Sequence, residues 1–141
     1  MKKLLYGALT LVFALVLTGC GNREKVVCEQ KSTSYTTQLV TEVEKDTIRG
    51  MSMKMEMDLS AYSDAQIEQV AKQDFCTLVK SYLSTYSEAL ENCKQDVSRK
   101  ILTITSDINV NKITDQELQL NKTSKEVKEY FEKQGYTCEI K

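Results

Sequence analysis

The chain has 141 residues with 19 basic and 20 acidic side chains, a net charge of −1 and a length suited to one domain. It contains no His, no Pro and no Trp. Without imidazole, Ser-His-Asp and Cys-His catalysis and His-ligated zinc are excluded, which leaves paired carboxylates, Lys, Tyr or Cys; the lack of a basic block argues against nucleic acid as a partner.

The first residues have the layout of a secretory leader. Lys2 and Lys3 form the charged start, and Leu4 to Leu17 the apolar stretch. At 14 residues that stretch is shorter than the roughly 18 expected of a membrane-spanning helix. Leu17-Thr18-Gly19-Cys20 follows, and it resembles the lipobox of bacterial lipoproteins. The resemblance implies cleavage ahead of Cys20 and a diacylglycerol on its sulfur. Two acyl chains anchor stably where one binds only marginally. It also implies a signal peptide over 1–19, a lipidated tether over 20–24 and a single domain over 25–141. The mature chain would keep 122 residues and lose both leader lysines, leaving 17 basic against 20 acidic side chains. Anionic headgroups repel such a surface, so the lipid itself would hold the protein to the extracytoplasmic side of the cell membrane.

The domain opens with alternating patterns. Lys25 to Ser32, Tyr35 to Glu44 and Ile48 to Leu59 read as three strands, with a turn at Asp46. The third is the clearest: Met51, Met53, Met55, Met57 and Leu59 share one face, and Ser52, Lys54, Glu56 and Asp58 the other. Ser63 and Gln66 then form a capping box, with Tyr62 and Ile67 as a hydrophobic staple. The stripe Ile67, Val70, Ala71, Phe75, Leu78, Val79, Tyr82 predicts one long helix. Asn92 to Val97 and Ile101 to Ile108 read as a hairpin turning at Ser98-Arg99-Lys100. Thr114 and Glu117 form a second capping box and predict a short helix, with Ile113 and Leu118 as its staple. Thr123 and Glu126 form a third, opening a helix that carries Val127, Tyr130 and Phe131 and stops at Gly135. Tyr136 to Ile140 closes the chain as a strand. This order predicts an α+β fold: an antiparallel sheet of about five to six strands, with one long and one or two shorter helices packed on one face.

Besides Cys20, the cysteines are Cys28, Cys76, Cys93 and Cys138. An even number in an exported domain reads as two disulfides. Cys76 lies at the edge of the helical stripe, where the returning chain can present Cys93. Cys28 and Cys138 stand in the first and last strands, each on the face of its apolar neighbours. The favoured pairing is therefore Cys76–Cys93 and Cys28–Cys138, contributing about 3 and about 4–5 kcal/mol in the loop-entropy account. There is no C-x-x-C, so a thiolate metal site or redox pair has little support.

The Met row carries the main chemical argument. Thioether sulfur is soft and selects Cu(I) over hard cations. Met51, Met53, Met55 and Met57 offer such ligands, but at about 6.6–7 Å spacing along one strand face, so only neighbours could share an ion. The simpler expectation is that the Met face is core, packed on the Ile67–Tyr82 helix, because Met fills irregular gaps. A third reading is an adaptable apolar binding surface. Glu42, Glu44 and Asp46, and Glu126, Glu129, Glu132 and Lys133, read as solvated faces. Glycosidase chemistry needs two carboxylates across a cleft, and nothing in the sequence marks one. Tyr35, Tyr62, Tyr82, Tyr86, Tyr130 and Tyr136 could build a binding surface, since Tyr has an apolar body and a polar tip.

The lipobox, the strand Met51–Leu59 ahead of a helix, and the terminal helix running into Gly135-Tyr136 together resemble the YehR-like family of small bacterial lipoproteins. That resemblance implies an α+β domain and transfers no catalytic residue. The expectation is a non-enzymatic, lipid-anchored binding module of the bacterial envelope, with no cofactor and with an envelope protein or a small ligand as partner. The alternative is a Cu(I)- or Ag(I)-binding lipoprotein using Met51–Met57.

Overall fold

The computed structural model describes residues 23–83, 86–113 and 118–141. Cys20 with the lipobox, and the Thr114–Glu117 capping box, lie outside those residues. The strands are β1 (Arg23–Lys31), β2 (Tyr35–Glu44), β3 (Thr47–Asp58), β4 (Leu90–Ser98), β5 (Ile101–Ile108) and β6 (Thr137–Ile140). The helices are α1 (Asp64–Ala71), α2 (Phe75–Tyr82) and α3 (Ser124–Lys133), with a 3-10 turn at Val110–Lys112. One six-stranded antiparallel sheet runs in the order β4-β5-β3-β2-β1-β6. The fold is α+β.

β1 begins at Arg23, inside the stretch expected to be tether. Arg23 pairs with Glu44 in the ladder, and its guanidinium reaches Glu42 at 3.3 Å and Glu44 at 3.6 Å. The β2–β3 turn places Lys45 and Asp46 at φ 48° and 60°, and the β4–β5 turn places Arg99 and Lys100 at 52° and 60°. Two consecutive positive φ values match the right-handed twist of a hairpin.

Two bulges correct the alternation. Between Glu42 and Val43 the β2–β3 register shifts, so Ile48 and Met51, three apart, both point inward. Between Glu91 and Lys94 the β4–β5 register shifts, with Asn92 at φ 52°. Without that bulge Leu90, Asn92 and Lys94 would share a face. With it Leu90 is buried, Cys93, Gln95 and Val97 are half-buried, and Asn92 and Lys94 are exposed.

The one long helix is replaced by two short ones. Lys72 and Gln73 close α1 with tight bonds to Gln69 and Val70, and Asp74 starts α2 by accepting from the Thr77 N–H at 3.0 Å and the Thr77 hydroxyl at 2.6 Å. Gln95 on β4 completes the break: its Oε1 accepts from the Phe75 N–H at 2.9 Å and its Nε2 donates to the Gln73 carbonyl at 2.7 Å. The stripe was continuous, but a neighbouring amide satisfies the groups that a break exposes.

α3 has its expected capping box at Thr123 and Glu126. It ends in a Schellman motif: the Tyr136 N–H donates to the Phe131 carbonyl and the Gly135 N–H to the Glu132 carbonyl, both at 3.1 Å. The Phe131 and Tyr136 rings meet edge to face at 5.7 Å, the apolar contact that accompanies this motif. Gly135 sits at φ +94°. The core lies on one face of the sheet, built from Val26, Cys28, Val43, Ile48, Met51, Met53, Leu102, Ile104 and Ile108, and covered by Val79, Val127 and Phe131.

Candidate functional site

Disulfides join Cys28 to Cys138 and Cys76 to Cys93. Cys28 and Cys138 face each other directly across the β1–β6 ladder, so that bond closes one edge of the sheet. The other ties α2 to β4 at the opposite edge. α3 packs on β1 and β6, and α2 packs on β4. The two helices therefore lie over opposite edges, and the middle strands β5, β3 and β2 are left between them.

A groove of about 710 Å3 occupies that space. Its floor consists of rungs across three strands: Tyr35–Met57–Leu102 and Thr37–Met55–Ile104, then Leu39 and Met53, then Met51–Ile108. One wall is Phe75, Leu78, Val79 and Tyr82 of α2, continued by Leu83, Tyr86 and Leu90; the other is Phe131, Gln134 and Tyr136 at the end of α3, with Gln30 of β1 beside them. Such a volume falls within the roughly 300–1,000 Å3 of small-molecule sites.

This alters the expectation for the Met row. Met51 and Met53 are buried at 8% and 4% exposure. Met55 and Met57 are only half-buried and line the groove. The break at Lys72–Asp74 and the Cys76–Cys93 bond keep α2 at the β4 edge. Thioethers adapt to irregular shapes and are common on binding surfaces that accept varied partners.

Among the described residues no charged side chain lines the groove. Burial pushes the Tyr136 phenol above its ordinary value, and neighbouring Tyr35 adds to the rise, so Tyr136 stays neutral. Leu78 and Tyr82 remain 44% and 86% exposed at the rim of α2.

The tyrosines divide. Tyr35, Tyr82, Tyr86 and Tyr136 come together on the groove, while Tyr62 lies outside its lining. Tyr130 stacks edge to face with Phe131 at 5.0 Å, and its hydroxyl meets that of Tyr86 at 3.5 Å. The acidic groups are placed elsewhere. Glu42 and Glu44 pair with Arg23, Lys25 and Arg49, and Glu132 with Lys128. The carboxyls held below their ordinary range are local: Asp58 by the Ser60 N–H, Asp74 by the Thr77 hydroxyl, Glu91 by the Asn109 amide and Glu126 by the Thr123 N–H. The outer sheet face is polar, with a shallower hollow of about 350 Å3 lined by Ser52, Lys54, Lys94, Thr105 and Asp107.

Sequence reasoning missed Phe75 and Leu78 as groove walls, and Gln30 and Gln134 as polar lining. Leu78 and Tyr82, one helical turn apart, fall on the apolar stripe in sequence, and only the structure shows that they stay exposed. Gln30 and Gln134 carried none, being single amides more than a hundred positions apart. Among the described residues no helix is long and apolar enough to cross a membrane, and no group of three or more His, Cys, Asp or Glu could hold a metal.

No protein-family model matches the chain, and no curated protein matches it. A solved NMR structure of a protein from Streptococcus pneumoniae TIGR4 is similar at 16% identity over 82% of this chain and 84% of that one, with a TM-score of 0.46. A likeness at that level assigns neither fold nor role.

Proposed function

We propose that this chain is a lipid-anchored lipoprotein of the extracytoplasmic membrane face, a member of the YehR-like group, and a binding module rather than an enzyme, which holds an apolar ligand in the Met-floored groove. The observation that carries the reading is the groove itself: a hollow of about 710 Å3, with no charged side chain in its lining among the described residues, floored by four methionines and with exposed apolar side chains at its rim. Two supports stand beside it. The disulfides suit an oxidising compartment. The lipobox ends at Cys20, three positions before β1, so a diacylglycerol there would hold the domain close to the bilayer surface.

The second reading is Cu(I) or Ag(I) on Met51, Met53, Met55 and Met57. All four thioethers line one hollow, which favours it. Against it, Cys28, Cys76, Cys93 and Cys138 are all oxidised in disulfides, so no thiolate joins them among the described residues.

Native mass spectrometry of the protein extracted from its own membranes separates these readings. The expected result is an added organic mass of small-molecule size, absent from Met55→Glu, whose carboxylate would be left unpaired on the groove floor. An added mass of copper or silver would support the metal reading instead. A bare lipoprotein mass, or a ligand that Met55→Glu retains, would overturn the groove.

A further inference from the structure

Four polar side chains of the groove gather at one end, apart from Thr37 on the floor and Tyr82 and Tyr86 on the α2 side, and their kind names a ligand class; the inference rests on the groove being the binding site. Gln30 stands opposite Thr37 in the β1–β2 ladder, and Tyr35 opposite Met57 in the β2–β3 ladder. Gln134 and Tyr136 flank Gly135, where an added Cβ would stand 3.3 Å from the Gln30 Nε2. Tyr35 is near enough to Tyr136 to influence its titration. Two amides and two phenols thus converge where β1 and α3 both end. Among the described residues none of these four side chains has a hydrogen-bond partner. At the far end, beyond Met51 and Ile108, the Tyr86 hydroxyl is already turned to Tyr130.

We propose that the groove takes a single-chain neutral amphiphile, its tail along the Met row and its uncharged, hydrogen-bonding head at Gln30, Tyr35, Gln134 and Tyr136. The dimensions agree. Six residue steps separate Met51 from Met57, about 20 Å along a strand. One acyl chain spans half of a bilayer core, about 15 Å, which leaves room for a head. The charge agrees as well. Two amides and two phenols supply donors and acceptors without charge, and a carboxylate or ammonium head would lose water with no counter-ion in the lining. An extended peptide fits less well, because its backbone N–H and C=O groups would lie unpaired over thioethers and aliphatics.

The test titrates the full-length protein with monolauroylglycerol, laurate and dodecyltrimethylammonium, three probes with equal tails and different heads, each below its micelle-forming concentration. Heat of binding and tyrosine fluorescence are the readouts. The neutral probe is expected to bind at least about tenfold more tightly than either charged one. Gln134→Lys, a cation at a helix C-terminus and therefore tolerated by the fold, is expected to raise laurate affinity by about tenfold. Equal affinity for all three probes would overturn the head-group inference and leave the groove reading standing. So would a Gln134→Lys variant with unchanged preference. Failure of wild-type protein to bind any probe, or full binding by Met55→Glu, would overturn both.

Discussion

At the scale of single residues, Gln95 connects most parts of the structure. It reads in sequence as one polar position between Lys94 and Asp96. In the fold its amide serves both broken helix ends, accepting from the Phe75 N–H and donating to the Gln73 carbonyl. A side chain that satisfies two main-chain groups costs both when removed. Gln95→Ala is expected to lower unfolding free energy by about 1–3 kcal/mol, read from urea denaturation monitored by circular dichroism. A loss within error would mean that water replaces the amide at both sites. Gly135 is the opposite case, a residue whose role was legible in advance. A glycine just past a helical stripe predicts a left-handed stop, and φ +94° is where it sits. Asn92 lies between the two. Its tolerance of positive φ permits a bulge, yet only the pairing of β4 with β5 shows that one is needed.

At the scale of elements, the strands were readable and the long helix was not. β2 and β5 begin and end where alternation said, and the caps of α1 and α3 are the boxes seen at Ser63–Gln66 and Thr123–Glu126. The stripe from Ile67 to Tyr82 hid a break because hydrophobic period records which face is apolar and not whether the main chain is continuous. Asp74 was the local sign of it: a good N-cap three residues before Thr77. The Cys76–Cys93 bond holds α2 against β4 and so fixes one groove wall. Cys76→Ala with Cys93→Ala is expected to cost about 3 kcal/mol of stability, given the short loop it closes. The same double variant is expected to lose ligand affinity, since Phe75 and Leu78 would no longer be held over the Met row. Thermal unfolding and the amphiphile titration check the two effects separately; an unchanged affinity would show that Gln95 alone keeps α2 in place.

At the scale of the whole molecule, sheet order decides where anything can bind. β6 returns beside β1 and brings α3 over that edge, while β4 and α2 occupy the other, so the centre of the sheet stays open. The Met row, expected to be a covered core face, is buried only in part for this reason. The anchor is the remaining large-scale proposal. If Cys20 carries a diacylglycerol, Cys20→Ala is expected to leave the membrane pellet and collect in the soluble extracytoplasmic fraction, and radiolabelled palmitate is expected to enter only the unmodified sequence. Membrane retention of Cys20→Ala would remove the lipoprotein reading while leaving the groove untouched.

What the amino-acid sequence determined by itself is whatever depends on neighbours along the chain: the strands and their turns, the capping boxes, the glycine stop and the absence of imidazole chemistry. These follow from backbone sterics and from spacings of a few residues. What only the tertiary structure decided is whatever depends on distance across the fold. The break of the stripe at Gln95, the bulge that turns Cys93 inward, and the approach of Gln30 to Gly135 each join atoms that are distant in sequence and brought together by the fold. Because pairing order is set by how the whole apolar face is buried, no local spacing could have announced them.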